Sequence, residues 1–209
     1  NESFIVDEIP HIGAGFSYIM TGDMRLNPEH PPLVKDIAGL ALLTLDLKNN
    51  VLYNGTWQTR VNDQWNFGRE LIYGTPGNNP ELIRFAARLP MVLFFLIGAW
   101  LVFHWSRKLY GDTAALIAII LYSLSPTILA HAHFVATDVA ALAGVLTATY
   151  AYLRYLQKPS GYRLLVASVV LGLALLTKFS TFLLIPFFIL VAVAWYIVNP
   201  PPNGLRYTL

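Results

Sequence analysis

"LPMVLFFLIGAWLVFHW", Leu89 to Trp105, is a run of 17 residues without one Asp, Glu, Lys or Arg. A helix at a soluble surface shows a polar face at a period of 3.6 residues, and this run is apolar all the way round. Four more apolar runs follow at 113–130, 134–153, 164–177 and 181–198, of which 134–153 alone carries a charged residue, Asp138, and each is parted from the next by a few polar residues. A bilayer-spanning helix needs about 20 residues, within a range of about 17 to 25, and only 164–177 falls short of it. That run is expected to tilt, or to end inside the protein below the surface. Composition agrees, with 56% hydrophobic and 12% charged residues against about a quarter charged in soluble domains. The fold class that follows is all-α integral membrane: about five transmembrane helices in a bundle over 89–198, preceded by an outer-face loop region over 1–88 with interfacial helices. A polar, proline-rich cytoplasmic linker at 199–209 is expected to lead into a longer chain, and a membrane helix is expected upstream of Asn1.

The same composition excludes several classes. A formal charge of +2, with no basic patch interleaved with aromatics, argues against nucleic acid as a partner. Without cysteine there is no disulfide, thiolate metal site or cysteine nucleophile. No phosphate-binding glycine loop, GxSxG elbow or dinucleotide fingerprint occurs, so a soluble nucleotide cofactor is not expected.

Orientation follows from the short turns between runs. Residues 106–112 carry Arg107 and Lys108, and 154–163 carry Arg154, Lys158 and Arg163, against the single acid Asp112. Positive turns face the cytoplasm. Five alternating spans then put residues 1–88, the 131–137 turn and Lys178 together on the outer side. Residues 1–88 count seven Lys and Arg against ten Asp and Glu, as an outer segment should.

The acids of the opening stretch, His131, His133, Asp138 and Lys178 therefore gather at one face, and a few stretches stand out. Asp7-Glu8 is an adjacent acid pair; in a strand or turn the two side chains point apart, so one can act on a substrate while the other holds a metal or a hydrogen-bond network. In "NPEHPPLVK", Asn27 to Lys35, three prolines stiffen the backbone that presents Glu29 and His30. The apolar pattern predicts an interfacial helix over Leu33–Leu47, with Lys35, Gly39 and Asp46 on a polar stripe that faces a cavity. "NNPELIRFAARLP" predicts a helix with Asn79 as N-cap and Pro80 at its first position, with Arg84 and Arg88 sharing a face. "AHAHFVATD" sets His131 and His133 two apart, weak candidates for a metal site, with Asp138 one turn into the next span. Acids and lysines at a membrane helix end, such as Asp138 and Lys178, face a polar cavity or an ionic partner. Asn54-Gly55-Thr56 matches a glycosylation sequon.

Asp7-Glu8, "GFSYIMTGDMRLNPEHPPLVK", "ARLP" and the Thr137-Asp138 pair together resemble the membrane glycosyltransferases of type C fold. Within them the chain is most similar to bacterial relatives of the dolichyl-phosphate-mannose protein mannosyltransferases and to the aminoarabinose transferases of lipid A. The resemblance implies transfer of a sugar, with inversion, from a polyprenyl-phosphate carrier to a protein, lipid or envelope-glycan acceptor at the outer face of a bacterial plasma membrane. It implies Asp7 as catalytic base with Glu8 beside it, and Glu29, His30 and Lys35 lining the donor or acceptor cavity. Lys35, Arg88 and Lys178 are its implied contacts to the carrier phosphate, with Asp138 in the same substrate site. The cofactor stays open, including a divalent metal. A secondary transporter, drawing on Asp138 and Lys178, and a non-catalytic membrane scaffold are the competing readings.

Overall fold

The computed structural model describes residues 3–53 and 56–200, which are helical throughout their regular elements. Asn54 and Gly55 of the sequon and residues 201–209 of the linker lie outside the described residues. Asp7 leads into α1 (Glu8–Thr21), where the acid pair was expected on a strand or turn; Pro10 is tolerated because it stands in the first turn. Gly22, at φ 71°, ends α1 in the left-handed region, its N–H bonding to the Tyr18 carbonyl at 2.8 Å. The helix α2 (Leu33–Leu42) stops five residues short of the expected Leu47, in a series of tight turns at Leu43–Leu45.

Both helices are buried together by glycine. A Cβ on Gly15 would run into the Lys35 carbonyl, and one on Gly39 into the Gly15 carbonyl. Gly13 meets Gly68 of α4 (Gln64–Arg69) in the same way, after the short α3 (Thr56–Thr59). The stripe that carries Lys35 and Gly39 is therefore turned onto α1 and does not face a cavity. After a π-helical turn at Glu70–Gly74, α5 (Pro80–Arg88) starts as expected: Asn79 Oδ1 accepts from the N–H groups of Glu81 at 2.9 Å and Leu82 at 3.3 Å.

Pro90 breaks the helical ladder and α6 (Met91–Tyr110) continues, the two forming a stretch of 31 residues in which a window of 18 residues reaches a mean hydropathy of 2.0. Two further stretches are long and apolar enough to cross a membrane: α9 (Thr137–Gln157), and Phe179–Val198, a 3-10 turn leading into α11 (Leu184–Val198). The remaining runs form shorter apolar helices. Pro126 divides the second run into α7 (Asp112–Ser123) and α8 (Pro126–His131), and α10 (Gly161–Leu175) ends among the buried Thr177 and Thr181. Large apolar side chains such as Leu93, Trp100, Leu121, Leu190 and Ile197 stay exposed, which suits a lipid surround. The protein is an all-α membrane protein.

The spans pack through small residues and hydroxyls, as helices do where lipid removes the hydrophobic drive. Gly144 of α9 lies against Ala174 of α10. The hydroxyl of Tyr122 donates to the Phe95 carbonyl at 3.1 Å, and that of Tyr152 to the Phe188 carbonyl at 2.9 Å. One buried core runs from α1 and α2 through Phe67, Ile83 and Met91 to Val135 and Ala140, so the first 88 residues cap one end of the bundle. At the other end His104 meets the Tyr150 hydroxyl at 3.2 Å, and Arg107 pairs with Asp112 at 2.5 Å.

Candidate active site

Three ties bring the chemistry to the capped end. Glu8 at the start of α1 is fully buried and holds Arg88 at 2.8 Å from Nε and 2.6 Å from a terminal nitrogen; it also accepts the N–H groups of Ile5 at 3.0 Å and Val135 at 3.1 Å. His11, one turn later, has Nδ1 2.9 Å from the Val135 carbonyl. Leu33 N–H donates to the Leu176 carbonyl at 3.1 Å. The first two fix α1 against the start of α9, and the third fixes α2 beside Lys178.

The segment before α2 is pinned from beneath. Lys35, with no exposed surface, donates from Nζ to the carbonyls of His30 at 2.7 Å and Asn27 at 2.9 Å, and sits 5.2 Å from the Tyr18 ring centre. The Tyr18 hydroxyl in turn donates to the Asn27 carbonyl at 2.9 Å and receives the Asn27 N–H at 3.1 Å. Burial pulls the Lys35 ammonium down to about 8, while Asp36 and Glu29 hold it up. The stiffness expected of the proline segment is thus reinforced by a buried lysine.

What these ties enclose is a polar cleft of about 310 Å³. Asp7, His11, Glu29, His30, Asp138 and Lys178 line it, with Asn27, Gln64 and Trp65 on one wall. Lys178 and Asp138 are ion-paired at 2.6 Å and remain partly exposed. The His11 and His30 rings meet edge to face at 5.7 Å. Burial lowers His11, helped by the nearby Lys35 and His30 and opposed by the Val135 carbonyl and Asp7. Asp138 and Lys178 also line an apolar groove of about 620 Å³, bounded by Ala141, Val145 and Thr149 of α9 and by Leu184 and Phe187 of α11. Cleft and groove thus meet at the ion pair.

Of the residues singled out in the sequence, Asp7, Glu29, His30, Asp138 and Lys178 come together on this cleft, and Glu8, Lys35 and Arg88 do not. Glu8 and Arg88 are a buried pair behind it, Arg88 also lying 4.8 Å over the Phe134 ring. Lys35 is fully committed to the loop it holds. These three, expected from the sequence at the catalytic and substrate site, thus stand behind the cleft, where they tie together the segments that border it. His131 and His133 pack their rings against Phe134, at 6.2 and 4.3 Å, and among the described residues no three His, Asp or Glu side chains gather as a cation-holding group. The sequence reading missed His11, Asn27, Gln64 and Trp65. The Asp7–His11 spacing of four residues was the one available signal, and it speaks only once this stretch is known to be helical.

A polar cleft bordered by three carboxylates, two histidines and one lysine thus opens on an apolar groove at one end of the helical bundle. Residues 83–201, more than half of the chain, match the family described as dolichyl-phosphate-mannose-protein mannosyltransferase. The chain belongs to this family. It is accordingly a membrane glycosyltransferase of the mannosyltransferase and aminoarabinose-transferase type. Arg88, His131, His133, Asp138 and Lys178 lie within the matched region; Asp7 to Lys35 and the wall at Gln64–Trp65 lie before it. The comparisons with curated proteins and with solved structures return no match.

Proposed function

We propose that the protein transfers a sugar from a polyprenyl-phosphate carrier to an acceptor hydroxyl in the cleft, on the extracytoplasmic face of a bacterial plasma membrane. The observation that carries this reading is the junction of cleft and groove at Asp138 and Lys178. An amphiphilic donor needs a polar chamber for its sugar and a lipid-accessible slot for its tail, joined where its phosphate sits. Along α9 the groove follows one face from Asp138 to Thr149, a depth of about 16 Å at 1.5 Å per residue. Lys178 stands at the junction as the cation for the phosphate, taking over the role that the sequence also offered to Lys35 and Arg88.

In this reading the acceptor oxygen attacks the anomeric carbon as the bond from that carbon to the phosphate oxygen breaks. Asp7, exposed on the cleft, takes the acceptor proton, and the polyprenyl phosphate leaves with the bonding electron pair. Negative charge grows on the departing phosphate, and the Lys178 ammonium offsets it. Glu29 and His30 complete the chamber, and Asp138 holds Lys178 in register. The convergence of these groups at one end of the bundle supports group transfer over transport, which needs polar groups through the membrane depth.

The test is transfer of labelled sugar from a polyprenyl-phosphate donor by the full-length protein in lipid nanodiscs. Asp7→Asn is expected to lower turnover by about 10²- to 10⁴-fold, the range of a general base, with membrane insertion and donor binding unchanged. Normal turnover by Asp7→Asn would remove Asp7 as the base.

A further inference from the structure

At the end of the bundle away from the cleft, α6 and α9 finish side by side, and their facing residues form a shelf of rings topped by cations. His104 and Lys108 stand one turn apart on α6; Tyr150 and Arg154 stand one turn apart on α9, and Lys158 follows at its end. The His104 ring stacks on Trp100 at 5.1 Å, its Nε2 lies 3.2 Å from the Tyr150 hydroxyl, and Trp105 meets the Tyr150 ring at 5.4 Å. Arg154 can only donate. Its Nη1 reaches the Tyr150 hydroxyl at 3.5 Å, which leaves that hydroxyl to donate to His104. The guanidinium is thereby tethered beside the Tyr150 ring, 5.9 Å from its centre and half-buried.

Charge at this end is out of balance. Between residues 104 and 163 the only acids are Asp112 and Asp138; Arg107 takes the first, and Lys178 at the cleft takes the second. Arg163 donates to the Lys158 carbonyl at 2.7 Å. Lys108, Arg154 and Lys158 are left without a carboxylate among the described residues. Cations in a last turn also offset the helix dipole, but that role asks for no tether and no ring beneath. We propose that this corner binds the headgroup phosphate of an anionic phospholipid in the leaflet far from the cleft, with Lys108, Arg154 and Lys158 as its cations. A guanidinium offers a phosphate two parallel donors, and the lysines add point charges. The ring shelf marks the ligand as a lipid. Trp100 is 61% exposed on a span whose outward side chains are apolar, and an indole at a membrane boundary sits at headgroup level, beside the glycerol. The site is separate from the cleft and stands whether or not the carrier reading holds.

The experiment takes the full-length protein, delipidated in neutral detergent, and titrates it with phosphatidylglycerol or with zwitterionic phosphatidylcholine, bound lipid being counted by native mass spectrometry. Native protein is expected to retain one phosphatidylglycerol in preference to phosphatidylcholine. Lys108→Gln, Arg154→Gln and Lys158→Gln are each expected to weaken that lipid about fivefold, the contribution of one cation near an anionic lipid surface. Arg107→Gln removes the same unit of charge from the same end, but from a residue already paired with Asp112, and is expected to leave the affinity within about twofold of native. Lys108 and Lys158 are exposed, so their variants report even where Arg154→Gln lowers the folded yield. Equal weakening by Arg107→Gln and Lys158→Gln would reveal diffuse attraction to a positive surface and overturn the proposal. Equal retention of the two lipids, or unchanged affinity in both lysine variants, would overturn it too. Displacement of phosphatidylglycerol by millimolar inorganic phosphate would make the ligand a free anion and overturn the lipid assignment.

Discussion

Glu8 and Arg88 stand 80 positions apart in the chain and form a bidentate pair with almost no water around it. Removing one partner of such a pair leaves a buried charge unmatched, so Glu8→Gln is expected to cost about 3–5 kcal/mol, and the Glu8→Met, Arg88→Met double variant less than the two single changes together. Thermal midpoints in detergent check both. His11 gives a pH signature. Burial lowers its pKa below the ordinary 6.5, so the unfolded chain takes up the proton first. Stability therefore falls as the pH drops below about 6.5, and it is unaffected by this group above it. His11→Asn, which keeps a donor to the Val135 carbonyl but cannot titrate, is expected to flatten the fall in thermal midpoint between pH 7 and pH 5. At this scale the sequence singled out both acids without separating their surroundings, Asp7 on the cleft and Glu8 buried against Arg88. Asp7 and Glu8 are equivalent as letters, and only the position of Arg88 shows which of them is spoken for.

At the scale of elements, glycines decide what the composition concealed. Gly13, Gly15, Gly39 and Gly68 let α1 approach α2 and α4 backbone to backbone, a use of glycine that carries no local periodicity. This is why the opening stretch reads as loop and turn, whereas α5, with its Asn79 cap and Pro80 start, is legible from its residues alone. Gly15→Ala would drive a methyl into the Lys35 carbonyl, a backbone group that cannot swing aside. We expect a loss of about 1–3 kcal/mol and a fall in transfer activity larger than the stability change explains, since Lys35 holds the segment that carries Glu29 and His30. Activity at a temperature where the variant remains folded separates the two effects. The membrane helices are visible from hydropathy. Their division is less so, because Pro126 ends α7 early and α11 begins as a 3-10 turn, both matters of backbone hydrogen bonding that an apolar run does not display.

For the whole molecule, alternation of the spans predicts that the acids of the first 36 residues meet Asp138 and Lys178, and the cleft brings two of them, Asp7 and Glu29, to that pair. Sidedness is the next consequence. The chain has no cysteine, so a single engineered thiol reports cleanly: Asp46→Cys is expected to react with a membrane-impermeant maleimide on intact cells, and Lys158→Cys only after permeabilisation. The most direct test of the central claim, that cleft and groove form one site for an amphiphilic donor, is photolabelling with a polyprenyl phosphate that carries a photoreactive group in its lipid tail. Adducts mapped by mass spectrometry are predicted on the groove face of α9 and α11, at Val145, Leu184 and Phe187, and to disappear when unlabelled donor competes. Labelling spread over α7 and α10, with none on α9 or α11, would contradict the account.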